Sequence, residues 1–167
     1  MPCSQTLAGL ASSCGINLGG GIAKMYIANR GDVTETVTSN VVSALTEGVF
    51  YEYNVKKEST TLTSTWTIDG AVKFCQTDVA ASIAQLSTTA RVELEALLQA
   101  DVYVVIGDNN GKYWAIGSGV DGAQLSALSG TTGTAKSDAN QFELTITSYD
   151  SHFPYEVDAA IIDTLVA

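Results

Sequence analysis

The side chains that could carry chemistry are few and scattered. His152 is the only histidine and stands beside Asp150 and Ser151, late in the chain. A general base needs a nucleophile within hydrogen-bond reach, and neither Ser151 nor Cys75 lies in a G-x-S-x-G elbow. No acid–base pair is legible either, so the expectation is a protein that is not an enzyme. Asp108, Asn110 and Asp121 flank a hairpin and offer oxygen ligands, but their spacing is not that of an EF-hand loop. Asp-Asn-Asn-Gly is also what a tight turn selects, and no metal is expected. The glycines from Gly15 to Gly21 complete neither a P-loop nor a dinucleotide fingerprint, so no cofactor is expected. Trp66, Trp114, Tyr53 and Tyr113 could line a sugar site; as core and interface aromatics they need no ligand.

Cys3, Cys14 and Cys75 are odd in number and form no CxxC pair, which argues against a disulfide framework and a zinc site and for free thiols in a reducing compartment. The first residues lack a basic stretch followed by a continuous apolar core, so no signal peptide is expected. No run approaches the length of a membrane span, and no membrane partner is expected.

A chain of 167 residues with 46% hydrophobic and 16% charged side chains is most simply one domain, residues 1–167, able to bury a core without metal or disulfides. The net charge is −10 and is uneven: residues 93–167 carry eleven acids against two bases, Lys112 and Lys136. A nucleic-acid footprint is basic, so gripping DNA is not expected. An acidic surface can still form a wall that a polyanion slides along without sticking.

The elements that must position these residues read mainly as strands. Residues 1–21 are small and Gly-rich, an N-terminal arm. Ile22 to Ala28 makes a first strand, ending in the turn Asn29-Arg30-Gly31-Asp32. Arg30-Gly31-Asp32 spells an integrin-binding tripeptide, but turns favour Gly and Asp anyway. Residues 33–47 read as irregular or a short extended piece. Residues 48–76 carry the best pattern: Thr60, Leu62, Ser64, Trp66 and Ile68 alternate with Thr61, Thr63, Thr65 and Thr67, while Tyr51, Tyr53 and Val55 alternate upstream. This predicts a long hairpin turning at Lys56-Lys57-Glu58, then a third strand after Asp69-Gly70. From Thr77 or Asp78 to Ala100, the residues Val79, Ile83, Leu86, Ala90, Leu94 and Leu97 predict the one substantial helix. Residues 101–107 predict a central strand, with Asn110-Gly111 as a type I′ turn into the next. Residues 117–133 read as a Gly/Ser-rich loop. Residues 141–148 form another strand, with Phe142, Leu144 and Ile146 on one side. The fold class expected is an antiparallel β-sandwich or barrel with a flanking helix.

Two runs carry a resemblance. The chain opens on Gly20-Gly21-Ile22-x-x-x-Tyr26-Ile27-Ala28-Asn29. Late in the chain comes Gly133-Thr134-Ala135-Lys136-Ser137-Asp138-Ala139-Asn140-Gln141-Phe142-Glu143-Leu144-Thr145-Ile146. With the order of elements between them, residues 20–160 resemble structural proteins of tailed bacteriophages, most closely tail tube proteins. The resemblance implies subunits made in the bacterial cytoplasm that form hexameric rings stacked into a hollow virion tail. Inner strands would pair edge to edge around each ring, DNA would pass through without specific binding, and the long hairpin would reach a neighbour. Lys56, Lys57, Glu58, Thr61, Thr63 and Thr65 are the assembly residues this suggests. A capsid decoration, connector or tail-completion protein is one alternative, and a carbohydrate-binding fibre domain another.

Overall fold

The computed structural model describes residues 20–84 and 86–165. Of the expected arm, only Gly20 and Gly21 fall within that range; Cys3 and Cys14 lie outside it. The elements run β1 (Ile22–Asn29), a 3-10 turn (Arg30–Asp32), β2 (Thr34–Thr38), β3 (Val41–Thr46), β4 (Tyr51–Tyr53), β5 (Thr61–Asp69) and β6 (Val72–Ala84). They continue through α1 (Thr88–Leu97), β7 (Val102–Asp108), β8 (Tyr113–Ile116), β9 (Ala123–Thr131), β10 (Gln141–Asp150), β11 (Tyr155–Val157) and α2 (Ala159–Leu165). The protein is mainly β, as expected, with a short second helix.

The strand anticipated as central, β7, is buried on both faces. Val102, Val104 and Ile106 join Met25, Ile27, Val79, Leu94, Leu144 and Ile146 in one core. Tyr103 and Val105 join Tyr26, Val42, Phe50, Val157 and Ile162 in another, closed by α2. In its own layer β7 lies between β1 and β8; β4 extends that layer past β1, and β11, β3 and β2 extend it past β8. The second layer is the antiparallel sheet β9-β10-β6-β5.

A single bridge, Val102 to Ala123, joins the two layers along β7. At the other end of β7, Ile106 and Asp108 lie beside Thr60–Leu62 at the start of β5. The second layer is therefore laid across β7 rather than along it, an arrangement in which the chain must turn a corner between sheets. Gly117 makes that corner. Its φ is 86°, and a Cβ there would meet the Val102 carbonyl at 2.7 Å and the Ala123 nitrogen at 2.8 Å.

Arg30 braces the corner. Its guanidinium donates to the carbonyls of Gly119 at 3.0 Å, Ser118 at 3.0 Å and Val33 at 2.9 Å, and lies over the Tyr103 ring. The Tyr103 hydroxyl donates to Glu35 at 2.7 Å. The Arg30-Gly31-Asp32 run is thus a structural brace: its arginine is already committed to three carbonyls.

Several expectations are corrected. Residues 51–53 do not pair with β5; β4 pairs with β1. The hairpin of this region is β5–β6, and it turns at Gly70-Ala71 with Gly70 at φ 56°. Lys56-Lys57-Glu58 is a connection, not a hairpin tip. The expected helix from Thr77 to Ala100 is mostly strand: β6 runs to Ala84, and only Thr88–Leu97 is helical. Ser87, inside the expected helix, is its N-cap, accepting from the Ala90 nitrogen at 3.1 Å. Residues 34–46 form a hairpin through Ser39 and Asn40, both at positive φ. Residues 123–131, expected as loop, are β9. Asn110 does not adopt the positive φ of a type I′ turn; only Gly111 does.

Removing the brace leaves three carbonyls short of a donor. Arg30→Ala should destabilise the fold by about 2–3 kcal/mol and lower Tm by about 5–10 °C in thermal unfolding. Burial first, then the neighbouring Glu35 carboxylate, hold the Tyr103 hydroxyl well above the usual phenolic range. Its folded pKa exceeds the unfolded one, so its contribution is fully present below pH about 10 and is lost as pH rises past it. Tyr103→Phe should make the alkaline fall in urea-measured stability shallower.

Candidate assembly surface

The polar face predicted from the threonine alternation exists, and it is wider than one strand. On β5, Thr61, Thr63, Thr65 and Thr67 are exposed, while Leu62, Ser64 and Trp66 are half-buried toward the core. Register carries the same outward side across the layer. Thr61 is opposite Ala80, Thr63 opposite Asp78, and Thr65 opposite Gln76. In turn Thr145 pairs with Ala80, Thr147 with Asp78, and Tyr149 with Gln76. Gln124 and Ser126 of β9 complete the surface.

Asp78 sits at its middle. One carboxylate oxygen accepts from the Thr147 hydroxyl at 2.6 Å and the other from Gln76 Nε2 at 3.0 Å. Thr147 also lies 2.9 Å from Ser126 Oγ. Asp78 and Glu143 bring negative charge to this face. The hydroxyls of Thr61, Thr63 and Thr65 hydrogen-bond to nothing among the described residues.

The six expected assembly residues divide between the side and one end of this layer. Thr61, Thr63 and Thr65 lie on its outward side along the outermost strand. Lys56, Lys57 and Glu58 cross its upper end: the Lys56 nitrogen donates to the Ser82 carbonyl at 2.8 Å, and its ammonium to Gln141 at 3.3 Å.

Among the described residues both side edges of the layer are open. β5 pairs only with β6, and beyond its first residue β9 pairs only with β10. Each is nine residues long. β9 carries no charge, and β5 carries only Asp69, at its end. Neither contains proline. Among the described residues the usual devices that blunt a free strand edge, lysines, prolines or a covering element paired to it, are missing. The bulge in β9 between the Thr145 and Ile146 pairings turns both Leu125 and Leu128 toward the core.

The remaining candidates have structural tasks. Asp108 accepts from the Asn110 and Lys112 nitrogens and from Trp114 Nε1, and no cluster of metal-ligating side chains occurs among the described residues. Trp66 meets Phe153 edge to face, and both tryptophans are half-buried. His152 stacks on Tyr155 with its Nδ1 at the Phe153 carbonyl. Cys75 is buried and free. In the late run, the Asp138 carboxylate accepts from the Thr134 and Ala135 nitrogens and the Thr134 hydroxyl, which hold it below the usual carboxylate range. Asn140 accepts from the Leu86 nitrogen at 2.9 Å, and Phe142 and Leu144 face the core. Among the described residues no helix is long and apolar enough to cross a membrane.

No family model matches the chain, and no curated protein matches it in sequence.

If the threonines serve only an outside contact, the monomer should not need them. Thr63→Val should change stability by less than about 0.5 kcal/mol. Asp78→Ala, which strands two donors, should cost about 1–2 kcal/mol. Paired urea titrations of the purified protein check both.

Proposed function

We propose that this protein is a self-assembling structural subunit whose four-stranded layer continues from copy to copy around a ring, the tail tube subunit of a bacteriophage virion. The observation that carries the reading is the pair of open, nine-residue, uncharged-to-nearly-uncharged edges, β5 and β9, on opposite sides of one antiparallel layer. Four antiparallel strands leave the outer two running in opposite directions. A copy related by rotation about an axis along the strands therefore presents its β9 antiparallel to β5, and the sheet continues without a change of pattern. The contact is head to tail, the kind that closes into rings.

Such a ring turns the threonine face to one side. Six copies, the number the tail-tube resemblance implies, with strands about 4.8 Å apart, give a backbone bore roughly 35 Å wide, more if the strands tilt. A double helix fits. The wall would carry hydroxyls with Asp78 and Glu143 as its charges. Hydroxyls cannot form ion pairs with phosphates, and carboxylates repel them, so DNA passes without being held.

Electron microscopy of the concentrated protein should show rings or tubes; a protein that stays monomeric at every concentration and with its partners overturns the reading. Thr65→Pro on β5 and Ala127→Pro on β9 should each abolish rings. Mixed together they should form a heterodimer, because each retains the edge the other has lost. Within assembled particles, Thr63→Lys with Glu143→Lys should slow DNA release at unchanged tube length.

A further inference from the structure

The other layer also ends on an open edge. Among the described residues β4 pairs only with β1, so the side of Tyr51–Tyr53 turned away from β1 has no strand beside it. The helix α1 stands along that edge without closing on it. Between them runs a groove of about 700 Å³, lined on one side by the four successive residues Tyr51 to Asn54 and on the other by α1 from its cap to Leu94. A second recess of about 220 Å³ shares Tyr51, Tyr53 and Glu93 with it and continues along the same helix to Leu97. Together they follow the whole of α1, about 15 Å at 1.5 Å per residue. That is the reach of about five extended residues.

The groove is apolar and carries one sign of charge. Its charged residues are Glu52 and Glu93, and no lysine, arginine or histidine lines it. Glu52 is opposite Tyr26, and alternation along β4 puts it on the other side of the strand from Tyr51 and Tyr53. Glu93 is therefore the acid beside both rings. The Tyr53 hydroxyl donates to its Oε1 at 2.5 Å, and its Oε2 accepts nothing among the described residues. Burial first, then that hydrogen bond, hold the Tyr53 hydroxyl above the usual phenolic range, so it stays a donor at any working pH. Tyr51 is 58% exposed. A carboxylate fixed on one oxygen and free on the other, next to an open aromatic ring, suits a lysine or arginine side chain.

We propose that this groove receives an extended basic segment of another protein, which adds as a strand to β4 and sets a lysine or arginine against Glu93 and the Tyr51 ring. The segment is extended because an unpaired strand edge offers its backbone groups to another strand. It is basic because the charge of the groove is all negative. It is not a second copy of this chain: the open-edged strands β2, β4, β5 and β9 contain no lysine or arginine. A copy pairing edge to edge would leave Glu93 without a counter-charge. Since β4 belongs to the layer that the ring reading leaves unused, the proposal stands without that reading.

The test screens the full chain against a positional-scanning library of acetylated heptapeptides. Selected peptides should carry lysine or arginine at one position among alternating apolar residues and bind tighter than about 1 mM. Glu93→Gln should weaken the best of them several-fold and Glu93→Lys roughly tenfold. Both variants should keep the wild-type Tm, because Glu93 is exposed. Methylating alternate backbone nitrogens of the peptide should abolish binding if it adds as a strand. A screen that selects nothing, peptides selected without a base, binding that survives Glu93→Lys, or methylated peptides that bind as well, each overturns the proposal. So does free arginine amide binding as tightly as the peptides, which makes a small cation the ligand. Self-association of the purified chain that falls with Glu93→Lys puts a second copy in the groove and overturns it too.

Discussion

The structure depends on one strand with no exposed side. Every residue of β7 from Val102 to Gly107 is buried, so each face must be covered by a separate set of elements. The Val102 face calls in a whole second layer and α1; the Tyr103 face calls in Phe50, Val42 and α2. Apolar burial at about 25 cal/mol per Å² makes this the dominant favourable term. The cost falls on the second layer. Laid across β7 and tied to it by one bridge, it spends its inward residues on the core and, among the described residues, has no neighbour left for either outer strand.

The division of labour follows from this. Inward positions of the crossing layer, Cys75, Thr77, Val79, Ala81, Leu144 and Ile146, are buried, while outward ones are mostly hydroxyls, amides and carboxylates, with Phe74, Ala80 and Ala127 among them. One sheet is core on one side and a largely polar surface on the other. Its ends differ again: below, Ile68 and Val72 are exposed beside Asp69 and Lys73, and above it Lys56, Lys57 and Glu58 cross.

Much of this was legible in the sequence where the pairing is local and the period clean. The threonine alternation of β5, the apolar run of β7 and the inward set Phe142, Leu144, Ile146 are all period-two signatures. β6 was not legible, because its inward residues are small or polar and Val79 and Ile83 are four apart, a spacing common to strand and helix. Leu86, Leu94 and Leu97 then extended a helical pattern backward over it. β9 was hidden by its bulge: Leu125 and Leu128, three apart, fit no strand, yet the extra residue turns both inward. The β2–β3 hairpin turns on Ser39-Asn40 without a glycine, and its strands are too exposed to alternate. Which edges stay open could not be read at all, since it depends on partners distant in the chain.

The Arg30 brace has a consequence for the conditions under which the corner keeps its form. A guanidinium held by carboxylates loosens when acid protonates them. Arg30 is held by the carbonyl oxygens of Val33, Ser118 and Gly119, which do not titrate, and by the face of an aromatic ring. Its contacts are indifferent to acid and, being partly buried, are weakly screened by salt. The Lys112–Glu156 ion pair at 2.8 Å, by contrast, is exposed and yields to both. The arginine's share of the corner is thus indifferent to acid, while the Ser118 hydroxyl and the Gly119 nitrogen beside it are held instead by the Glu35 and Asp150 carboxylates.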